Sequence, residues 1–151
     1  MVEEGAPAPD FELTSDEGET VTLSALRGKP VVLYFYPKDD TPGCTTEACE
    51  FRDAYDTYRA RGIEVLGVSP DNVASHEKFK TKYQLPFTLL ADPDHEAAEA
   101  YGVWKEKRNY GKTYKGVERS TFVIDADGKV AKAMRGIRPA GHAAQVLETL
   151  G

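Results

Sequence analysis

The sequence has few of the residues that build disulfide frameworks or metal centres. It contains two cysteines in 151 residues, and its three histidines are scattered as His76, His95 and His142. A structural zinc site needs about four cysteine or histidine ligands at close spacing. We therefore expect neither a disulfide-rich fold nor a metal site, and we expect no cofactor.

Long hydrophobic runs are also missing. The longest uninterrupted apolar segment is the six residues 31–36, whereas a membrane-spanning helix needs about 20. The first five residues lack the basic and apolar regions of a signal peptide. We therefore expect a cytoplasmic protein that does not bind a membrane.

The chain has no excess of positive charge, since its formal net charge is -6. This balance is not that of a general polyanion binder, and we expect no nucleic-acid partner. A chain of this length suits one domain, because it buries about 68–70% of its unfolded surface. We expect a single domain over residues 1–151.

Residues 37–49 hold both cysteines, and the rest of the chain can be read as a scaffold for them. They follow the apolar run 31–36, which has the pattern of a strand buried on both faces. Thr41 is a suitable N-cap for the next helix, Pro42 suits its first position, and Cys44 falls in its first turn. The helix dipole and the free N–H groups there favour a thiolate, so Cys44 is predicted to be reactive.

Helical periodicity separates the two cysteines. The predicted helix runs from Pro42 to about Arg61, and one face of it is apolar. This face consists of Cys44, Ala48, Phe51, Tyr55 and Tyr58. Cys49 lies about 140° around the axis, on the polar face, with its Cα about 8.6 Å from that of Cys44. An unstrained disulfide allows at most about 7 Å, so the turn must unwind if the two ever pair. The alternative interpretation is that both cysteines are ordinary small core residues without a chemical role.

The order of elements predicts an α/β protein. Strands and helices alternate from residue 31 to residue 101, which implies parallel strand pairing in a layered sandwich. The predicted strands are residues 31–36, 62–69, 86–90, 119–124 and 129–134, and the predicted helices are residues 42–61, 72–83, 92–101 and 140–150. An N-terminal hairpin is predicted at residues 11–23, after an extended arm at residues 5–9.

Two features allow both a functional and a plainer interpretation. His76 could act as a general base, but no partner is visible near it in the sequence, which favours a histidine packed on its helix. Residues 104–115 interleave five cations with three aromatics and could bind single-stranded nucleic acid or dock a partner. They show no clear periodicity and belong to an acidic chain, so a long surface loop is the favoured interpretation.

The cysteine motif resembles the active site of peroxiredoxins. Pro37, Thr41 and Cys44 match the pattern Pro-x-x-x-Thr-x-x-Cys, and a second cysteine five residues after the first is similar to the Q subfamily, also called bacterioferritin comigratory protein-type. Further matching strings lie at residues 34–38, 87–92, 101–104, 111–114 and 122–129, so the resemblance covers nearly the whole chain. It implies a thioredoxin-like three-layer sandwich with a central mixed sheet, helices on both faces and an N-terminal hairpin.

The resemblance also implies a function. A member of this subfamily would be a thiol-dependent peroxidase for hydrogen peroxide and organic hydroperoxides. Cys44 would become a sulfenic acid, and Cys49 would resolve it to an intramolecular disulfide. Pro37, Thr41 and Arg119 would complete the site, although Arg119 on its own would be interpreted as a solvated cation at a strand start. Thioredoxin or a similar dithiol would reduce the disulfide, and the protein would be a monomer.

Two other functions are compatible with a reactive cysteine. A general thiol–disulfide oxidoreductase of this fold would have two residues between its cysteines, and this chain has four. A redox-sensing or partner-binding module would use a disulfide only to change the Cys44 helix and the loop at residues 104–115. A peroxidase consumes peroxide repeatedly in the presence of a dithiol, whereas a sensor stops after one equivalent.

Overall fold

Nine strands and four α-helices make up the computed structural model, which describes residues 2–150. The strands are β1 (Glu12–Ser15), β2 (Thr20–Thr22), β3 (Val31–Phe35), β4 (Glu64–Ser69), β5 (Thr88–Ala91), β6 (Trp104–Asn109), β7 (Lys112–Val117), β8 (Ser120–Ile124) and β9 (Val130–Arg135). The helices are α1 (Pro42–Ala60), α2 (Val73–Tyr83), α3 (Glu96–Ala100) and α4 (His142–Thr149). None of the helices among these residues is long and apolar enough to cross a membrane.

Seven of the strands form one mixed sheet in the order β2-β1-β5-β4-β3-β8-β9. β3 lies inside this sheet, where it pairs parallel with β4 and antiparallel with β8. β4 also pairs parallel with β5. Each parallel pair is connected through a helix, because parallel neighbours require a long crossover. The predicted α/β class with a central mixed sheet is confirmed.

Strand β3 is buried on both faces because each face of the sheet carries its own core. All five of its residues are buried. Leu33 and Phe35 pack with residues of α3, and we call this the α3-side core. Val32 and Tyr34 face the other way and pack with residues of α1, α2 and α4 in what we call the α1-side core. The predicted sandwich with helices on both faces is therefore confirmed.

A glycine beside Tyr34 lets this large side chain lie flat against the sheet. Tyr34 is directly across from Gly67 in the pairing of β3 with β4. A Cβ atom at position 67 would lie 2.8 Å from Tyr34 Cζ and 2.9 Å from its hydroxyl oxygen, which is closer than non-bonded atoms approach. The ring stacks on Phe51 of α1 with 4.7 Å between the centroids. This contact presses α1, which carries both cysteines, against the sheet.

The N-terminal hairpin forms as predicted, but the arm before it differs from the prediction. β1 and β2 form an antiparallel hairpin in which Leu13 pairs with Val21. The arm before them is not extended throughout, because Glu4 and Gly5 form a turn in which Gly5 has a φ of 88°. The Gly5 and Ala8 N–H groups donate to carbonyl oxygens in the hairpin of β8 and β9. The hairpin of β1 and β2 is the N-terminal hairpin that the resemblance implies.

The prediction of a long surface loop at residues 104–115 is wrong. The segment forms an antiparallel hairpin of β6 and β7, paired from Trp104 with Val117 to Asn109 with Lys112. Tyr110 and Gly111 close it with positive φ angles of 53° and 74°, as a two-residue hairpin turn of type I′ requires. The first four residues of β7 are all exposed. A half-buried strand is recognised in a sequence by alternating apolar and polar residues, and a strand exposed on both faces does not need that alternation. The sequence of this hairpin therefore does not show the usual strand pattern.

Candidate active site

Cys44 lies in the first turn of α1, just beyond the carboxyl end of β3. Thr41 and Pro42 begin the helix as predicted, but the Thr41 side chain does not cap it. Its hydroxyl donates instead to the Lys38 carbonyl oxygen at 2.9 Å. Cys44 belongs to the α1-side core and is only 1% exposed. The thiol is therefore shielded from bulk water at the end of the helix where backbone N–H groups are free.

Arg119 reaches Cys44 from the neighbouring strand. Phe35 at the end of β3 pairs with Ser120 at the start of β8, so the sheet brings the preceding Arg119 beside α1. Its Nη2 donates to Cys44 Sγ at 3.2 Å, and its Nη1 donates to Glu47 Oε1 at 2.7 Å. Arg119 is therefore not the solvated cation that its sequence position suggests. The structure brings together the predicted site residues Cys44 and Arg119.

The guanidinium of Arg119 keeps its charge in this environment. Burial alone would lower its pKa, but the negative charges of Glu47 and Cys44 outweigh that effect and raise it. A fixed cation therefore lies within hydrogen-bond distance of the sulfur, and such a cation stabilises a thiolate.

Glu47 is a site residue that the sequence analysis missed. It is fully buried, and burial raises its pKa to about 7 despite the opposing charge of Arg119. Among residues 2–150, nothing hydrogen-bonds to its second oxygen, Oε2. The available clue is its position three residues after Cys44 and four before Phe51, which places a carboxyl group within the apolar face of α1. A carboxyl group there needs a buried partner, and Arg119 is that partner.

Cys49 lies further along the same unbroken helix. Both cysteines are free thiols, Cys44 buried and Cys49 half-buried. This difference in burial agrees with the prediction that they lie on different faces of α1. An intact helix therefore lies between the two sulfur atoms.

Pro37 and Thr41 lie in the loop between β3 and α1, and both are half-buried. The Thr41 hydroxyl hydrogen is used by Lys38. The lone pairs of the hydroxyl oxygen remain able to accept a hydrogen bond from a peroxide O–H. The parts that Pro37 and Thr41 play in the reaction stay predictions.

His76 is fully buried, as a packed histidine should be, and it has a partner that the local sequence does not reveal. Its Nδ1 lies 2.7 Å from Oδ2 of Asp39 in the loop before α1. Asp71 completes a group of possible metal ligands whose atoms lie within 4.8 Å of one another. Bonds of about 2.0 Å in a tetrahedral zinc site would hold ligand atoms about 3.3 Å apart. The shorter contact between Asp39 and His76 fits a shared hydrogen better than a metal ion.

Comparison with known families identifies the class of this protein. The chain belongs to the AhpC/TSA family, whose model matches residues 5–133. It is 54% identical to peroxiredoxin Bcp of Bacillus subtilis over 149 residues, which cover 99% of this chain and 95% of the relative. It is 44% identical to peroxiredoxin Bcp of Escherichia coli over 146 residues, which cover 97% and 94% of the two chains.

Solved structures agree with this assignment. Xanthomonas campestris bacterioferritin comigratory protein, studied for its alkyl peroxide reduction activity, matches with a TM-score of 0.92 and 41% identity over 98% of this chain and 97% of that one. A cysteine-to-serine mutant of Xylella fastidiosa PrxQ matches with a TM-score of 0.94 and 36% identity over 99% and 96%. The predicted thioredoxin-like fold and the resemblance to Q-type peroxiredoxins are confirmed. The protein is a peroxiredoxin, an oxidoreductase that reduces peroxides with a thiol.

Proposed function

We propose that this peroxiredoxin reduces hydrogen peroxide and organic hydroperoxides through Cys44, with Cys49 as the resolving cysteine. The hydrogen bond from Arg119 to Cys44 Sγ carries the assignment, because a buried thiol beside a fixed cation is the activated nucleophile. Cys49 is the one other cysteine in the sequence. The alkyl peroxide reduction described for the Xanthomonas campestris relative supports organic hydroperoxides as substrates.

In the first step, the Cys44 thiolate attacks the terminal oxygen of a hydroperoxide. An S–O bond forms, and the O–O bond breaks. The leaving alkoxide or hydroxide takes the bonding electron pair and gains a proton from water. Sulfur is oxidised to a sulfenic acid, and the peroxide is reduced to an alcohol or water.

A lowered thiol pKa accounts for only a small part of the rate of a fast peroxide reduction. A fall in a cysteine's pKa from about 8.5 to about 6 raises its thiolate fraction at pH 7 about thirtyfold. A Brønsted coefficient of about 0.4–0.5 means that the same change lowers nucleophilicity roughly tenfold, which leaves a net gain of about threefold. The remaining acceleration must come from stabilising the O–O bond as it breaks. Arg119 lies close enough to the sulfur to donate hydrogen bonds to the reacting oxygens.

In the second step, Cys49 attacks the sulfenic sulfur of Cys44. A disulfide forms, and the sulfenic oxygen leaves as water with the proton of Cys49. Ideal helix geometry holds the two Cα atoms about 8.6 Å apart, beyond the roughly 7 Å that a disulfide allows. The first turns of α1 must therefore unwind before the bond can form.

The disulfide is then reduced by an external dithiol, for which we propose thioredoxin or a similar protein. Two thiols of the reductant supply two electrons and become a disulfide themselves. A monomeric state, a cytoplasmic location and a single domain over residues 1–151 stay predictions. Size measurement in solution, cell fractionation and limited proteolysis test these three in turn.

Turnover of hydrogen peroxide and of an alkyl hydroperoxide by three proteins tests the proposal. We expect the wild type to consume many equivalents of both in the presence of dithiothreitol, and Cys44→Ser to consume none. Without dithiol, Cys49→Ser should consume one equivalent and accumulate a sulfenic acid instead of a disulfide.

Two results would contradict this assignment. Turnover by Cys44→Ser at the wild-type rate would show that Cys44 is not the reacting thiol. Consumption of one equivalent and no more by the wild type with dithiol present would favour the redox-sensing alternative.

A further inference from the structure

His76 has a hydrogen-bond acceptor at each ring nitrogen. Nε2 lies 2.8 Å from the carbonyl oxygen of Leu90 in β5, and Nδ1 lies 2.7 Å from Oδ2 of Asp39. A carbonyl oxygen only accepts, so Nε2 must carry a hydrogen, and the contact with Asp39 needs a second one. The buried pair therefore shares this second hydrogen between Nδ1 and Oδ2.

Asp39 forms hydrogen bonds through both carboxylate oxygens and through its backbone N–H group. Its Oδ1 accepts from the Tyr36 hydroxyl at 2.6 Å, and its Oδ2 accepts from Ser75 Oγ at 2.8 Å as well as from His76. Its backbone N–H donates to Asp71 Oδ2 at 2.7 Å. We call these five residues the loop anchor. Removing the Asp39 carboxylate would take the short hydrogen-bond partner from two buried groups, the Tyr36 hydroxyl and His76 Nδ1, so the geometry is strongly fixed.

The loop anchor holds the active-site loop to α2 rather than to α1. Asp39 lies two residues after Pro37 and two before Thr41. The next residue, Asp40, has a left-handed φ of 58°, and its carboxylate accepts from Lys82 and Tyr83 at the end of α2. The loop is thus fixed to α2, and none of these bonds goes to the turn between Cys44 and Cys49.

We propose that Asp39 and His76 are positioning residues for the peroxide step. They hold the loop that carries Pro37 and Thr41 in place around Cys44, while leaving the turn between Cys44 and Cys49 free to unwind. This inference rests on the proposed function, because it assigns the residues to one of its two chemical steps.

The two steps make different demands on the protein. Attack on peroxide requires the loop residues and Arg119 to be correctly positioned around the sulfur. A misplacement of about 1 Å can slow such a reaction about 100-fold. Disulfide formation needs the first turns of α1 to open. The bonds of the loop anchor go to the end of β3, to the segment after β4, to α2 and to β5. Loss of the loop anchor should therefore slow the first step and leave the second unchanged or faster.

Single-turnover quenched flow on the full chain measures the two steps separately. Reduced protein is mixed with hydrogen peroxide and quenched, and mass spectrometry counts the thiol, sulfenic acid and disulfide forms. In Asp39→Ala and His76→Ala, we expect oxidation of Cys44 to be at least about tenfold slower and disulfide formation to be no slower than in the wild type.

Asp39→Asn is the conservative variant that should restore the rate. Its amide nitrogen can donate to Nδ1 of a neutral His76, which still donates through Nε2 to Leu90. We expect both steps within about threefold of the wild type, a margin of about 0.7 kcal/mol. Lys80→Ala is the matched control, because it removes another ion pair of α2, with Asp16 at 3.0 Å, away from the loop. It should leave both rates at their wild-type values.

Several outcomes would overturn the proposal. The first is oxidation of Cys44 at the wild-type rate in both alanine variants. The second is equal slowing of Cys44 oxidation and disulfide formation. The third is oxidation of Cys44 in Asp39→Asn that is as slow as in Asp39→Ala. If the alanine variants do not fold, His76→Gln replaces them, since it keeps a donor toward Leu90 and loses the one toward Asp39. Wild-type oxidation in His76→Gln would overturn the proposal equally. Failure of the wild type to oxidise Cys44 would overturn the proposed function as well, so the two failures are distinguishable.

Discussion

Arg119 hydrogen-bonds to both the Cys44 sulfur and the buried carboxyl group of Glu47 through the two terminal nitrogens of its guanidinium. Its charge can stabilise both the thiolate and the oxygen that leaves during peroxide reduction. We expect Arg119→Ala to lower the rate constant for Cys44 oxidation about 10²–10³-fold, more than its loss of thiolate explains. Stopped-flow kinetics beside a thiol titration measure the two effects.

Arg119→Lys is the matched control for this prediction, because it keeps the charge and loses the planar fork. We expect this variant to keep a larger share of the wild-type thiolate fraction than of the wild-type rate constant for Cys44 oxidation. Losses of rate and thiolate in equal proportion in Arg119→Ala would contradict transition-state stabilisation by this residue.

The buried carboxyl of Glu47 gives stability a dependence on pH. Its pKa is about 7 in the folded protein and 4.5 as a free group. The folded state therefore binds this proton more tightly, so the stabilisation is complete below pH 4.5 and is lost as the pH rises through 7. Glu47→Gln mimics the protonated form. We expect it to match the wild type near pH 4.5 and to exceed it by about 3 kcal/mol at pH 8.

Urea unfolding of both proteins between pH 4.5 and pH 8 measures this difference. Titrating groups that do not interact with Glu47 are common to the two proteins, so their contributions cancel in the comparison. A constant difference across this range would show that Glu47 does not titrate there.

At the scale of elements, the start of α1 packs so closely on Arg119 that a side chain at position 43 would disturb it. A Cβ on Gly43 would lie 3.1 Å from Arg119 Nη2 and 3.4 Å from Pro139 Cγ. Alanine is favoured over glycine in helices by up to about 1 kcal/mol, so Gly43→Ala should not destabilise the protein. It should nevertheless slow Cys44 oxidation by about tenfold, because Nη2 must move away from the sulfur.

Thermal unfolding and single-turnover kinetics of Gly43→Ala measure the two effects. Thr46→Ala is a suitable control, since it changes helix propensity at an exposed position of the same helix. A Gly43→Ala variant with wild-type kinetics would show that Arg119 can shift without loss of function.

The elements that the sequence predicts well are those specified by local rules. The apolar run before the cysteines is the central strand β3, and Thr41 and Pro42 begin α1 as their helix preferences indicate. The β6–β7 hairpin is not predicted, because its two faces lie largely in solvent and carry no alternating pattern. Recognition of Tyr110-Gly111 as a two-residue turn is the signal that could have found it.

Some site residues can likewise be predicted from the local sequence, whereas others depend on contacts between distant parts of the chain. Helix position alone nominates Cys44, and the family resemblance adds Arg119. Glu47 and the pairing of Asp39 with His76 depend on contacts between distant parts of the chain, and the latter pair is 37 residues apart. Neither local pattern nor spacing specifies which buried polar groups meet. The tertiary fold is needed to pair them.

At the scale of the whole molecule, the sheet separates the part that the proposed disulfide would change from the part that it would not. Unwinding around Cys44 would remove residues from the α1-side core, whereas the α3-side core lies on the opposite face. The second half of α1 is held separately, since the Tyr58 hydroxyl donates to the Ala143 carbonyl oxygen of α4 at 2.7 Å. β3 is hydrogen-bonded on both edges. Local opening of α1 should therefore not spread through the sheet.

Hydrogen exchange of reduced and oxidised wild type tests this confinement. We expect amides of residues 42–50 to exchange at least about tenfold faster in the disulfide form, while amides of β3 and β8 keep their protection. Cys49→Ser treated with peroxide is the control, because it forms the sulfenic acid and lacks the resolving thiol. It should exchange like the reduced protein. Equal protection of residues 42–50 in both states would contradict unwinding, and lost protection in β8 would contradict its confinement to one face.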